Sequence, residues 1–287
     1  MINRAKKNNS EAIIVVMGCY SQVSSDDIEA DIILGNKDKS KIVEILNDFI
    51  RDRESKKIIY DLSSVEFEKM EISHFDNHTR AFVKIQDGCN AFCSYCIIPY
   101  TRGRVRSKNK DDVIEEVSRL VKDGYKEIVL TGIHTGRYGI DINSSLYELL
   151  CELVKIPNIY RIRLSSIEIN EVTPEIIDLY KNNKIMARHL HVPLQSGSNK
   201  ILKLMNRRYN KEEFLSMVDN LKDIPNISLT TDLIVGFPNE DEEEFNETID
   251  TLKKIGFTKI HTFPYSKRKG TPAAIMDNQV FPEEKKK

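Results

Sequence analysis

Three of the five cysteines in the chain fall within eight residues, Cys89-Asn-Ala-Phe-Cys93-Ser-Tyr-Cys96, directly after a β-rich run. Thiolates are soft donors and suit iron–sulfur clusters or zinc. A closed structural zinc site takes four ligands. The loop offers three, and the nearest histidine, His78, lies before the strand that feeds it. Two readings follow from these residues. One is structural, a zinc loop with a distant fourth ligand or unligated core cysteines. The other is a four-iron cluster on which three protein thiolates leave one iron open to a small molecule. An odd cysteine count with this clustering is a poor disulfide framework. Arg4, Lys6 and Lys7 are followed by Asn8, Asn9, Ser10 and Glu11, which is not an export signal. A reducing cytoplasm is therefore expected.

Other chemistry-bearing residues are sparse. Cys19 follows a β-rich run and by itself reads as a buried small hydrophobe. Cys151 shares a helical stripe with Leu149, Leu150 and Leu153 and reads as core. No Ser/His triad and no paired-carboxylate acid–base arrangement stands out. His189 and His191 alternate along one β-rich run and so share a face. They fit a cavity wall or hydrogen-bonded structural roles equally.

The elements that must position the cysteine loop are legible as alternating patterns. Strands are expected at 12–16, 81–85, 127–131, 160–164, 188–193, 227–235 and 259–263. Helical patterns are expected at 39–52, 111–122, 145–154, 174–182, 210–222 and 240–255. Thr173 and Pro174 form a helix start, and acids crowd the first turn of the last helix, where its dipole favours them. From residue 81 the order is strand then helix, up to a sixth strand, which implies a parallel sheet with crossover helices. Six such units can curl into an open barrel, with its chemistry at the C-terminal strand ends. The region before residue 81 offers one strand and too little to bury a core alone.

Composition bounds the rest. With 40% apolar and 30% charged residues, the chain is globular and not disordered throughout. The longest apolar stretch near the N-terminus, 12–17, is far short of the ~20 residues of a membrane span. At ~150 residues per domain, 287 residues allow about two domains, or one barrel with an attachment. Net charge is −1, so bulk charge does not announce a nucleic-acid binder. Charge is uneven, however. Arg102, Arg104, Arg106, Lys108 and Lys110 form a run without acids, and 236–250 is acidic without bases and reads as a solvated helix face.

The Cx3Cx2C loop with Tyr95 before its last cysteine resembles that of the radical S-adenosylmethionine enzymes. The resemblance implies a [4Fe-4S] cluster whose open iron binds S-adenosylmethionine, and a 5′-deoxyadenosyl radical in place of a conventional acid–base pair. Its fold is an α/β, open six-unit (β/α) partial TIM barrel. Ile85-Gln-Asp-Gly-Cys89, Cys96-Ile-Ile-Pro-Tyr-Thr-Arg-Gly-Arg-Val-Arg-Ser107, His191-Val-Pro-Leu-Gln-Ser-Gly-Ser198, Met205-Asn-Arg-Arg-Tyr209, Asp232-Leu-Ile-Val-Gly-Phe-Pro238 and His261-Thr-Phe-Pro-Tyr-Ser266 resemble the methylthiotransferase branch. Within it they look most like the enzymes acting on threonylcarbamoyladenosine in tRNA. The likeness covers residue 12 to the C-terminus. It implies a remnant of an N-terminal second-cluster domain at 1–60, a linker at 61–75 and a radical core at 76–287, shortened at both ends relative to the family.

Roles carried over by the resemblance are as follows. Cys89, Cys93 and Cys96 hold the first cluster, and Cys19 matches a ligand of a second. Tyr95, Thr131, Gly132, Gly136, Ser166, Glu168, Gln195 and Ser196 surround S-adenosylmethionine, and Arg207 pairs with its carboxylate. Arg102, Arg104, Arg106, Lys267 and Arg268 meet phosphates of a tRNA anticodon arm. An electron donor such as flavodoxin or ferredoxin and a sulfur source are implied, with no membrane. The expected activity is conversion of N6-threonylcarbamoyladenosine beside the anticodon to its 2-methylthio form. Alternatives are a methylthiotransferase for isopentenyl-adenosine in tRNA or a ribosomal-protein aspartate, a truncated radical core, and a non-catalytic metal- or RNA-binding module.

Overall fold

A computed structural model describes residues 2–62, 65–70 and 79–286. His78 and part of the linker expected at 61–75 lie outside them. The chain divides into two compact units. The first comprises the described residues up to 70 with 88–90 and 98–104. The second comprises the described residues of 79–87, 91–97 and 105–286.

The first unit opens with α1 (Ile2–Asn8), β1 (Val15–Met17), α2 (Cys19–Val23), β2 (Ile32–Leu34), α3 (Ile42–Asp52) and β3 (Lys56–Ile58). The strands form a parallel sheet in the order β1-β2-β3, with Val15 opposite Ile32 and Ile32 opposite Lys56. Ile32 and Leu34 pack with Ile45 and Phe49, four residues apart on α3. This corrects the expectation of one strand without a core. The two extra strands are three residues each, and only their pairing across the sheet defines them.

The chain continues through β4 (Arg80–Lys84), β5 (Gln86–Asp87), α4 (Ile98–Arg102, in the first unit), β6 (Arg106–Ser107), α5 (Lys110–Lys122), β7 (Glu127–Thr131), α6 (Leu146–Leu153), β8 (Arg161–Leu164), α7 (Pro174–Asn182), β9 (His189–His191), α8 (Asn199–Leu204), α9 (Lys211–Lys222), β10 (Ser228–Val235), α10 (Glu242–Ile255) and β11 (Lys259–Pro264). Helix starts follow side-chain chemistry. Thr173 accepts from the N–H of Ile176, and Asn210 and Asp241 form capping boxes with Glu213 and Glu244.

In the second unit β4, β7 and β8 pair in parallel, as do β9, β10 and β11. A parallel bridge between Ile162 and Met186 links the two groups. Six strands thus stand side by side in chain order. Among the described residues no pairing joins β4 to β11, so the barrel is open. Alternation assigns the faces. Ala81, Val83, Ile128, Leu130, Ile162, Leu190, Leu229 and Leu233 pack with helix residues such as Val117, Phe214 and Leu252. The opposite, inner face carries Phe82, Lys84, Glu127, Arg163, His189, His191, Thr230 and Asp232. The apolar side anchors the helices, and the polar side is left for a ligand.

Candidate active site

The cysteine loop is held from both sides of its sequence. Gly88 has φ 73°, and a Cβ there would lie 1.8 Å from the carbonyl oxygen of Arg104, so only glycine fits. The Cys89 N–H donates to the Gly103 carbonyl at 3.0 Å, within the first unit. In the second unit, the Cys96 N–H donates to the Cys93 carbonyl at 2.9 Å and closes a tight turn between those thiols. Ser94 donates from its N–H to Met205 and from its hydroxyl to Leu204, at the end of α8. Its carbonyl accepts from the N–H of Ala273 at 2.8 Å. Asn206 donates to the carbonyl of Phe92, which sits at φ 50°.

Cys93 is buried, and Cys89 and Cys96 are half-buried. Arg207 Nη1 donates to Cys93 Sγ at 3.4 Å. Three soft thiols on one short loop fit an iron–sulfur cluster. Among the described residues no three His, Cys, Asp or Glu side chains converge as a single-ion site.

A narrow cleft beside Cys93 is lined by Ala91, His134, Glu168, Asn170, Glu171, Asn206, Arg207 and Arg208. Arg207 is its organising residue. The side chain is 4% exposed and pairs with Glu168. Its Nε and Nη2 donate to the Tyr209 hydroxyl at 3.0 and 2.9 Å, and Nη1 reaches the Tyr95 hydroxyl at 3.5 Å. Burial works against the guanidinium charge, but Tyr209, Tyr95, Glu168 and Cys93 more than offset it. Burial pushes the Tyr95 and Tyr209 phenols up, with Arg207 pulling the other way. Arg207 therefore spends its donors inside the protein and aims Glu168 at the cleft.

The second wall escaped the sequence reading. Glu171 Oε1 lies 2.9 Å from His134 Nε2 and 2.6 Å from Arg137 Nε. The His134 N–H donates to Gln86 Oε1 at 2.7 Å. Gly136 packs against Glu171, where a Cβ would collide at 2.1 Å. The signal was the stretch 131–136 itself, whose histidine went unweighed. Gly132 packs against Gln86, and the Thr131 hydroxyl donates to the Val83 carbonyl. The Ser166 carbonyl accepts from the Thr135 hydroxyl.

Several expected residues sit elsewhere. Ser196 is fully buried and shares its hydroxyl with Thr248 of α10 and the Ser198 N–H, so it braces a turn. Gln195, at φ 66°, exchanges backbone hydrogen bonds with β10. Arg106 is buried and pairs with Asp87 at 3.3 Å, and Lys108 is buried against Glu116 at 2.6 Å. Neither is a phosphate contact: opposite charges from distant sequence neutralise them. Arg104, Lys267 and Arg268 are exposed. Arg102 is half-buried within the first unit, where its charge acts on Cys19. Burial pushes the Cys19 thiol up, but the Asn36 amide at 3.4 Å and Arg102 bring it net below its ordinary value. Cys151 is half-buried on α6 rather than core.

Residues 83–252 match the family model of the Radical SAM superfamily. Over 98% of its length the chain is 43% identical to a threonylcarbamoyladenosine tRNA methylthiotransferase of Bacillus subtilis, covering 64% of that protein. It is 42% identical over its whole length to the enzyme of that name from Aquifex aeolicus, covering 71%. It is 41% identical to the tRNA-2-methylthio-N(6)-dimethylallyladenosine synthase of Acetivibrio thermocellus, covering 62%. The chain thus spans about two thirds of the length of these relatives. The fold is also similar to the radical S-adenosylmethionine methyltransferase TsrM of Kitasatospora setae (TM-score 0.57, 18% identity, 68% of this chain and 38% of that one). OxsB, a cobalamin-dependent radical enzyme, matches with TM-score 0.62 at 12% identity over 99% of this chain and 45% of that one. The chain belongs to the radical S-adenosylmethionine superfamily and, within it, to the methylthiotransferases.

Proposed function

We propose that this chain is the radical-generating part of a tRNA methylthiotransferase that converts N6-threonylcarbamoyladenosine beside the anticodon to its 2-methylthio derivative. The observation that carries this reading is the pairing of the Cys89, Cys93 and Cys96 loop with 43% identity to the Bacillus subtilis protein of that name. When bound, a [4Fe-4S] cluster and S-adenosylmethionine supply hydrogen-atom abstraction by a carbon radical. Cys89, Cys93 and Cys96 hold the cluster. Tyr95, Glu168 and the 131–136 turn enclose S-adenosylmethionine, with Arg207 fixing Glu168 and Tyr95 rather than reaching out itself. Residues 76–287 are the radical core, and 1–60 belong to a second-cluster domain. Arg104, Lys267 and Arg268 meet the phosphates of the anticodon arm, each contact adding to the salt dependence of binding. A reducing cytoplasm, an external electron donor and a sulfur source complete the reading. Among the described residues no helix is long and apolar enough to cross a membrane.

The similarity to dimethylallyladenosine enzymes, 41% for the Acetivibrio thermocellus protein, supports a second reading with that nucleoside as target. Mass spectrometry of tRNA nucleosides decides between them. The gene is deleted in its host, and total tRNA is digested before and after deletion. Loss of 2-methylthio-N6-threonylcarbamoyladenosine alone is expected. Loss of the dimethylallyl derivative instead, with the former unchanged, would transfer the assignment to the second reading.

A further inference from the structure

The inner face of the open barrel holds a polar cluster on β9, β10 and β11. His191 Nε2 lies 3.1 Å from Asp232 Oδ2, and His191 Nδ1 lies 2.9 Å from the Thr230 hydroxyl. His189 Nε2 meets the same hydroxyl at 3.1 Å. The His261 ring stands edge-on to His191 at 5.9 Å, opposite Asp232 in the sheet register.

Donor counting fixes the proton that faces Asp232. A carboxylate only accepts, so His191 Nε2 carries a hydrogen. The Thr230 hydroxyl has a single proton and bridges His191 Nδ1 and His189 Nε2. Burial, Arg163 and His191 all push the His189 pKa down, which keeps that ring neutral. The chain of bonds ends on Asp232 and holds its carboxylate in one orientation. Asp232 is 30% exposed, and its Oδ1 has no partner among the described residues. Two residues along β11 from His261, on the same face, Phe263 is 51% exposed.

An oriented acceptor next to an open aromatic face is what a nucleobase requires. Stacking takes any base, and the acceptor selects one with an exocyclic N–H. We propose that Phe263 and Asp232 seat the target adenine, Phe263 by stacking and Asp232 by accepting the single N–H of the N6-substituted base. His191 and Thr230 are positioning residues for that carboxylate. The proposal rests on the reading of the chain as a tRNA-modifying enzyme.

Binding tests it without turnover. The 287-residue chain is titrated with fluorescent anticodon stem-loops carrying adenosine or purine riboside at the target position. Purine riboside lacks the exocyclic nitrogen. Wild type is expected to bind it about tenfold more weakly, the scale of one hydrogen bond to a charged group. Asp232→Asn should bind both RNAs with nearly equal affinity. Phe263→Leu should weaken both alike by about tenfold, as loss of a stacking face does. Nitrogen NMR should place a proton on His191 Nε2. A wild type indifferent to purine riboside overturns the proposal. So does an Asp232→Asn that folds and keeps the full discrimination. Absence of any methylthio product from wild type would instead count against the proposed function, since the coupling between Asp232 and the exocyclic nitrogen is read from binding alone.

Discussion

Arg207 was expected to meet a ligand carboxylate, and it meets a protein one. With 4% of the side chain exposed, its charge is sustained by Glu168, Tyr209 and the Cys93 sulfur. Removing one partner of a buried pair leaves the other charged and desolvated. Arg207→Met should therefore lower the unfolding free energy by ~3–5 kcal/mol. Urea denaturation checks this. Adding Glu168→Gln to it should recover part of the loss, because no carboxylate is then left unpaired. Residue identities alone could not reveal this pairing. The same is true of Arg106 and Lys108, which read as part of a basic run but are claimed by Asp87 and Glu116. A sequence shows charges; only the fold shows which are already spent. The cysteine triad was legible because its spacing is local, and His134 and Asp232 were not because their partners Glu171 and His191 lie on other segments.

At the scale of elements, Glu127 at the start of β7 ties two strands. Its carboxylate takes Arg163 Nε at 2.6 Å and Arg161 Nη1 at 3.3 Å, both on β8. Burial pushes this carboxyl up, but the two guanidiniums outweigh burial and hold it net below the ordinary range. A depressed folded pKa means that the unfolded chain binds the proton first. The stabilisation is present above the ordinary glutamate value of ~4.3 and is lost as pH falls through the lower folded value. Glu127→Gln should be less stable than wild type by ~1–3 kcal/mol at neutral pH. The gap should narrow as pH drops below ~4.3. Thermal unfolding of both proteins across that range measures it, and a gap that widens in acid would contradict the assignment. Such ties decide register, yet the elements themselves were readable without them. The strand at Glu127–Thr131 and the helix at Pro174–Asn182 have the bounds expected from apolar patterning and the Thr173 cap. β2, β3 and the two-residue ladder of β5 with β6 were not readable. Runs this short carry no periodicity, and distant pairing defines them.

At the scale of the whole molecule, the two units present their thiols in different settings. In the first, Cys19 begins α2 and has the Asn36 amide for a neighbour. In the second, Cys151 lies on α6 beside Tyr147. Only the 89–96 loop offers three thiols in one short stretch. A four-iron cube needs several thiolates from protein, and a solitary cysteine cannot hold one. Anaerobic reconstitution of this 287-residue chain should therefore yield about four irons, not about eight. Replacing Cys93 by serine should abolish the cluster's visible absorption, since Cys93 is the buried thiol facing Arg207. Cys19→Ser and Cys151→Ser should leave iron content unchanged. Paired iron and sulfide assays on the four proteins provide the test. About eight irons per chain, or a loss of iron in Cys19→Ser, would mean that Cys19 ligates a second cluster together with groups outside the 89–96 loop. Bound zinc in place of iron would restore the alternative that the three-thiol loop first left open.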